Sequence, residues 1–239
     1  MLKAPRRQEI DHRTIKLIVG VVALTLASLT DLFASSPIPS ISASYYEGGW
    51  SQSIFIGFLF AISAFLLAYN GLSRSEMVLS KVASVAGLGV ALFPCECPKD
   101  GHKAIAMPGM MGVLGRIGKH VDELAPYVHG VSATTMFLVL TYFCYQFLRR
   151  AWRKGHPQAK ARATIYALCG IAILSSIAVL GSNHLARNAL TDRCPRLIFY
   201  GEGVALVAFG ISWLTASRIL PVLTRRDERF SPFRDSNPD

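Results

Sequence analysis

The apolar residues of this chain are gathered into six long stretches separated by short polar connections. They cover about residues 17–34, 54–70, 77–94, 125–148, 163–183 and 197–220. Each stretch is close to the ~20 residues that a helix needs to cross the hydrocarbon layer of a bilayer. Only helices and closed barrels satisfy the backbone there, and stretches this continuously apolar are typical of helices. The pattern predicts an all-α fold, a polytopic transmembrane six-helix bundle.

Composition supports a membrane protein with a single domain. The mean hydropathy is +0.37, yet the formal net charge is +10, and the charge lies in the connections. Six spans use more than half of the 239 residues, which leaves no room for a soluble catalytic domain. We predict a basic N-terminus (1–16), a transmembrane domain (17–220) and a polar tail (221–239). The high positive charge indicates contact with anionic lipid headgroups, not with nucleic acid.

The basic residues orient the predicted spans. If the chain crosses six times, 18 of the 25 Lys and Arg residues fall on the side of the two termini. The positive-inside rule then places both termini in the cytoplasm. A basic head followed by an apolar run also resembles a secretory signal, whose removal would leave five spans in the same orientation. The first run is longer than a usual signal core, so we interpret it as a retained span.

Two outer connections have a pattern of their own. The loop at 35–44 is rich in serine and proline, and Tyr45, Tyr46 and Trp50 after it suit an aromatic belt at the membrane surface. In the longest connection, 95–124, apolar residues recur at helical spacing from Met110 to Leu124. This segment is too short and too charged to span, so the pattern predicts an amphipathic helix on the outer surface. A flexible loop with accidental periodicity is the alternative.

Three of the five cysteines lie in predicted outer loops. A disulfide from Cys194 to either Cys95 or Cys97 would join the long connection to the last hairpin, in an oxidising compartment. Cys95 and Cys97 could instead bind a soft metal, although their spacing is not that of structural zinc sites. Unpaired thiols are the third interpretation. We therefore assign no metal site.

Ionisable residues inside the spans recur at one depth, near the predicted outer surface. These residues are Asp31, His129, His184 and Glu202. Ser132 lies on the same helix face as His129. Such residues are costly in a membrane and usually face a bundle interior or a wet cavity. They are candidate ligand-binding residues, and His129 and Glu202 are also candidate catalytic residues. The structural alternative is that residues about one turn from a helix end simply reach water.

Several short motifs give the chain a family resemblance. They are IPSISASYY (38–46), FIG (55–57), FLLAYNG (65–71), AG (86–87), VALFP (90–94), HGVSA (129–133) and AFGISW (208–213). Their order resembles a bacterial family of six-helix integral membrane proteins that carry a domain of unknown function. The resemblance covers about residues 38–214 and implies six spans in a bacterial cytoplasmic membrane. It implies no activity, and the 95–124 segment looks longer than the family's usual connection.

Three functional hypotheses remain. The first is a non-enzymatic structural or regulatory protein that binds membrane lipids or another membrane protein. The second is a metal-dependent hydrolase acting on lipid with His129, Glu202 and Asp31, although no full ligand set is evident. The third is a small transporter, which the lack of charges at the span centres disfavours. No nucleotide, haem or zinc-protease motif occurs, so we assign no cofactor, although a bound lipid is expected under the first hypothesis.

Overall fold

The structure is a computed structural model that describes residues 12–95, 119–225 and 228, and of residues 119–123 the backbone only. Every element in this part of the chain is a helix. The helices are α1 His12–Leu32, α2 Ser44–Glu47, α3 Gly49–Ala68, α4 Arg74–Leu92, α5 Lys119–Trp152, α6 Pro157–Leu185 and α7 Leu197–Ser217. All but α2 are long and apolar enough to cross a membrane, which confirms six candidate spans. The all-α bundle predicted from hydropathy is therefore confirmed.

The six long helices form a closed ring in chain order. Each packs on the next along the chain, and α7 closes the ring by packing on α1. The short connections 69–73 and 153–156 force α3 with α4 and α5 with α6 to be antiparallel neighbours, whereas the other neighbours are joined by longer connections. We call the end at which α1 begins and α7 ends the basic end, and the other the capped end. The sequence predicts that the basic end faces the cytoplasm.

Local sequence signals account for where the helices begin. Ser73 precedes α4, and its hydroxyl accepts a hydrogen bond from the backbone N–H of Glu76 at 3.3 Å. The Glu76 carboxylate accepts the N–H of Leu72, the residue before the N-cap, at 3.1 Å, so the arrangement is a variant of the capping box. At α6, the ring of His156 accepts the N–H of Ala159 and Pro157 occupies the first turn. Both caps lie at the basic end.

The helices α1 and α7 approach so closely that their backbones touch. A methyl group built on Gly210 would lie 2.9 Å from the carbonyl oxygen of Gly20, and one on Gly20 would lie 2.9 Å from the N of Leu214. Small residues allow such contact between membrane helices. Gly57 of α3, by contrast, has no atom of another element within 4 Å of that position. The tight helix crossing is at Gly20 and Gly210, not at Gly57.

The ring is filled by side chains and has two clusters along its length. Toward the basic end, aromatic rings pack around Trp213, whose ring centroid lies 5.3 Å from those of Tyr69 and Phe209. Toward the capped end, the connection from α1 to α3 enters the ring. Its residues Ile38 and Ile41 are 0% and 2% exposed. The serine- and proline-rich connection therefore contributes to the core.

Two details of the sequence interpretation change. Tyr45 and Tyr46 are buried in the cluster at the capped end, so they do not form a surface aromatic belt, whereas Trp50 is exposed. The predicted amphipathic helix lies outside the described residues except for its last turn. That turn, from Lys119, is continuous with the fourth span because α5 runs through Pro126 without a break.

Candidate functional site

Glu202 fastens the connection between α1 and α3 to the first turns of α7. One carboxylate oxygen accepts the backbone N–H of Ile41 at 2.6 Å and that of Ser42 at 3.3 Å, and the other accepts the Ser42 hydroxyl at 3.1 Å. The two flanking glycines have different neighbours, because a methyl group built on Gly201 would lie 2.8 Å from the Leu180 side chain of α6. Gly203 lies only 4.0 Å from the Ile41 side chain, measured at its Cβ position. The half-buried carboxylate therefore has three donors, all from the chain itself.

Asp31 holds the same connection from the other side. It accepts a hydrogen bond from the guanidinium of Arg196 at 2.5 Å, and Arg196 also donates to the carbonyl of Ile38 at 3.1 Å. The backbone N–H of Phe199 donates to the carbonyl of Pro39 at 3.1 Å. Arg196 lies just before α7, so the end of α1, the connection and the start of α7 form one unit. We call residues 31–46 together with Arg196 and Glu202 the polar cap.

His129 and Ser132 face a different neighbour. The His129 ring donates from Nδ1 to the carbonyl of Phe93 at 2.8 Å, because a carbonyl oxygen can only accept. Phe93 follows the last residue of α4, so His129 satisfies a carbonyl that the helix end leaves without a partner. Ser132 of α5 lies against Gly89 of α4. Both side chains thus pack α5 on α4 and lie outside the polar cap.

His184 lies apart from both groups. It is exposed at the end of α6, whereas its neighbour Asn183 is buried and bonds to Leu190 and Thr191 in the following turn. The residues predicted at one depth are thus divided among three places: Asp31 and Glu202, His129 and Ser132, and His184. Within the described ranges, no three His, Cys, Asp or Glu side chains are grouped to hold a metal ion.

One of the two candidate disulfides can be assessed in the described part of the chain. Across residues 12–95 and 119–225, no two cysteines are joined in a disulfide, so the predicted pairing of Cys95 with Cys194 is not formed. Cys194 is exposed in the turn before α7, and the Cys95 carbonyl accepts the hydroxyl of Tyr46. The alternative pairing through Cys97 lies outside the described residues. Cys144 and Cys169 are buried packing residues, as expected from their positions within the spans.

The basic end holds a polar group that we did not predict. Glu76 is 1% exposed and bonds to Arg150 of α5, close to the hydroxyl of Tyr69. A buried ion pair needs further hydrogen bonds to offset the loss of hydration, and the N–H of Leu72 supplies one. The sequence signal was present: Ser73 and Glu76 have the spacing of a capping box at the start of a span.

Glu228 brings a second carboxylate to the basic end. It bonds to Arg162 at 3.0 Å, to Arg218 at 3.2 Å and to Lys154. Burial alone would raise the pKa of Glu228, but the hydrogen bond from Lys154 and the charge of Arg218 outweigh burial and lower that pKa to about 2. Four elements therefore converge on this carboxylate: the ends of α5 and α7, the start of α6 and the segment after α7.

A cavity of about 280 Å³ opens between these groups at the basic end. Six of the side chains that line it are basic, namely Arg13, Lys16, Arg150, Lys154, Arg162 and Arg218. Its walls also include the rings of Tyr69, Phe147 and Tyr166. An apolar groove runs separately along the outer surface of α6 and α7, lined by residues such as Leu168, Val204 and Ile211.

No family model, curated protein or solved structure matches this chain. The family resemblance of the short motifs therefore stays a prediction. Its motifs 38–46 and 208–213 contribute to the polar cap and to the aromatic cluster, respectively.

Proposed function

We propose that this multi-pass membrane protein is non-enzymatic and works by binding a ligand, as a structural or regulatory protein of a bacterial cytoplasmic membrane. The observation that carries the proposal is the bonding of Glu202. A general acid or base must reach a proton of the substrate, but this carboxylate is occupied by three donors of its own chain. Asp31 is likewise paired with Arg196.

The hydrolase alternative has less support. It requires His129 to join Glu202 and Asp31 around a metal, but His129 donates to Phe93 on α4. A ligating imidazole usually donates its second N–H to a carbonyl, so this bond alone is compatible with metal binding. The carboxylates that would complete the site, however, bond to the polar cap.

The transporter alternative is disfavoured by the packing of the ring. Phe143, Phe209 and Trp213 are 0% exposed and occupy its interior between the two ends. A transport pathway needs an interior that holds water or that can rearrange. Ionisable residues within the membrane normally line such a pathway. The aromatic cluster has the character of a packed core.

Membrane lipids are the proposed partners along the sides of the ring. The groove on α6 and α7 lies on the face that hydrocarbon would cover, and its lining is almost entirely apolar. An acyl chain would fill it, because an empty groove forfeits dispersion contacts. Capture of a second membrane protein instead of lipid would contradict this assignment.

Metal and lipid analysis of detergent-purified protein tests the proposal. We expect no stoichiometric metal, co-purifying phospholipid, and no change in metal content in His129→Ala or Glu202→Ala. Asp192→Ala, which removes an exposed carboxylate near the capped end, is the matched control. Stoichiometric metal that is lost in His129→Ala and Glu202→Ala but retained in Asp192→Ala would support the hydrolase and refute the proposal.

A further inference from the structure

Lys16 is the unusual residue of the cavity at the basic end. It is 8% exposed, and its ammonium lies 5.3 Å from the ring centroid of Tyr69 and 5.0 Å from that of Phe147. Within the described part of the chain it makes no hydrogen bond and no ion pair. The two rings offset part of the cost of burying this charge. The three ammonium donors of Lys16 are therefore available to an acceptor that a ligand brings into the cavity.

The charges around the cavity are unbalanced. Six basic side chains line it, whereas two carboxylates of the described residues, Glu76 and Glu228, bond to members of that set. Glu76 is bonded to Arg150 at one wall, and Glu228 to the group formed by Lys154, Arg162 and Arg218. Neither carboxylate bonds to Lys16. An excess of positive charge in a partly enclosed space attracts an anion, and a low-dielectric wall strengthens that attraction.

The bonding of Glu228 indicates what kind of anion fits. Its two oxygens receive donors from two guanidinium groups and one ammonium, so the basic side chains already converge on an oxyanion. Guanidinium groups bind carboxylate and phosphate oxygens in this way, and a phosphate offers more acceptor oxygens for the remaining donors. The volume of the cavity is larger than that of a single phosphate group. Its aromatic walls can pack against the carbon substituent of a phosphate ester.

We propose that this cavity is a binding site for a phosphate monoester, with Lys16 as one ligand and Arg162 and Arg218, which bond to Glu228, as the others. The inference names a ligand class for the binding function proposed above and rests on it. A phosphate monoester can be the headgroup of phosphatidic acid in the bilayer or a small ester in solution. Both present the same dianionic group to the basic side chains.

Binding to the full-length protein in nanodiscs tests the site. One series uses phosphatidylcholine nanodiscs titrated with glycerol 3-phosphate, followed by calorimetry. The other compares the unfolding temperature in nanodiscs of pure phosphatidylcholine with that in nanodiscs containing one tenth phosphatidic acid. The variant is Lys16→Met, which keeps an apolar stem but removes the charge. Lys160→Met, at an exposed lysine of α6 outside the cavity, is the matched control.

We expect saturable, equimolar binding of glycerol 3-phosphate, a higher unfolding temperature with phosphatidic acid, or both. Lys16→Met should weaken the binding about tenfold or more and reduce the temperature shift, and Lys160→Met should change neither. Lys16→Met should also unfold at a higher temperature than the wild type without ligand, because it removes an unbalanced buried charge. Binding to the soluble ester identifies a solution ligand, and an effect confined to phosphatidic acid identifies a headgroup. No binding in either series, or equal weakening in both variants, would overturn the inference.

The same samples separate this inference from the proposed function. Hydrolysis of the ester, with release of inorganic phosphate, would refute the non-enzymatic proposal while leaving the phosphate site in place. Glu228→Gln gives an independent check, because it frees Lys154, Arg162 and Arg218 for the ligand. We expect this variant to bind the ester at least threefold more tightly, and weaker binding would contradict the assignment.

Discussion

Removing the Glu202 carboxylate should release the polar cap without abolishing the fold. Glu202→Ala leaves the N–H groups of Ile41 and Ser42 and the Ser42 hydroxyl without their acceptor. A hydrogen bond to a charged group contributes about 1.5–3 kcal/mol, and a buried donor left unsatisfied costs about 1–3 kcal/mol. Since water can reach part of the opened cap, we expect a loss of about 3 kcal/mol in the free energy of local opening.

Glu202→Gln should have a smaller effect. Its carbonyl oxygen can still accept the two backbone N–H groups, and its amide can donate to the Ser42 hydroxyl. What is lost is the extra strength that the negative charge gives these hydrogen bonds, about 1 kcal/mol in the free energy of local opening. Ser42→Ala removes the hydroxyl bond to Glu202 together with the bond between the Ser42 and Ser40 hydroxyls, and should cost a similar amount.

Hydrogen exchange of the amides of Ile41 and Ser42 measures this opening directly. Since about 1.4 kcal/mol corresponds to a factor of ten, exchange should accelerate roughly hundredfold in Glu202→Ala and several-fold in Glu202→Gln. Glu47→Ala is the control, because within the described residues Glu47 accepts a single hydrogen bond, from the N–H of the exposed Ser35, and is itself half-exposed. Unchanged exchange in Glu202→Ala would refute the structural role. Equal acceleration in Glu202→Ala and Glu202→Gln would show that the charge itself is required.

Two further predictions concern the basic end and the helix crossing. Because the pKa of Glu228 is lowered from 4.5 to about 2, its stabilisation is present above about pH 4.5 and is lost as pH falls toward 2. At pH 6 the wild type should therefore unfold at a higher temperature than Glu228→Gln, by the equivalent of about 1–2 kcal/mol after solvent screening. The two unfolding temperatures should converge near pH 2. A difference that stays constant with pH would contradict this prediction. Gly210→Ala should lower the unfolding temperature by the equivalent of about 1–3 kcal/mol, because its methyl group would meet the backbone of Gly20 and Leu24. Gly57→Ala, where no other element is near, should have little effect, and equal losses in the two variants would contradict the close crossing.

The sequence predicted the spans well because hydropathy reports directly on helices that must satisfy their backbone in a bilayer. The ends of the helices were less accurate. The first helix begins at His12 and the fifth span at Pro157, each several residues before the apolar stretch. Polar residues such as Lys16 and Arg162 continue the helix beyond the apolar stretch, so apolar content alone underestimates helix length.

The candidate site shows what hydropathy cannot predict. Depth along the membrane normal follows from position in a span, but the direction in which a side chain points around the helix axis depends on the neighbouring helices. Asp31 and Glu202 both bond to the polar cap, and their partners are Arg196 and a loop backbone far along the chain. His129 has the same approximate depth but faces α4. The cavity at the basic end was missed because its residues belong to five separate segments.

Accessibility of cysteines from the two sides of the membrane tests the central claim, six spans with the basic end in the cytoplasm. All variants carry Cys95→Ser and Cys97→Ser, because these two cysteines are also predicted in an outer loop. In intact cells a membrane-impermeant maleimide should then label Cys194, and the label should be lost when Cys194→Ser is added. A cysteine introduced by Lys160→Cys should add label only after permeabilisation. Labelling of the Lys160→Cys protein in intact cells, with Cys194 protected, would contradict the orientation of the basic cavity and the account built on it.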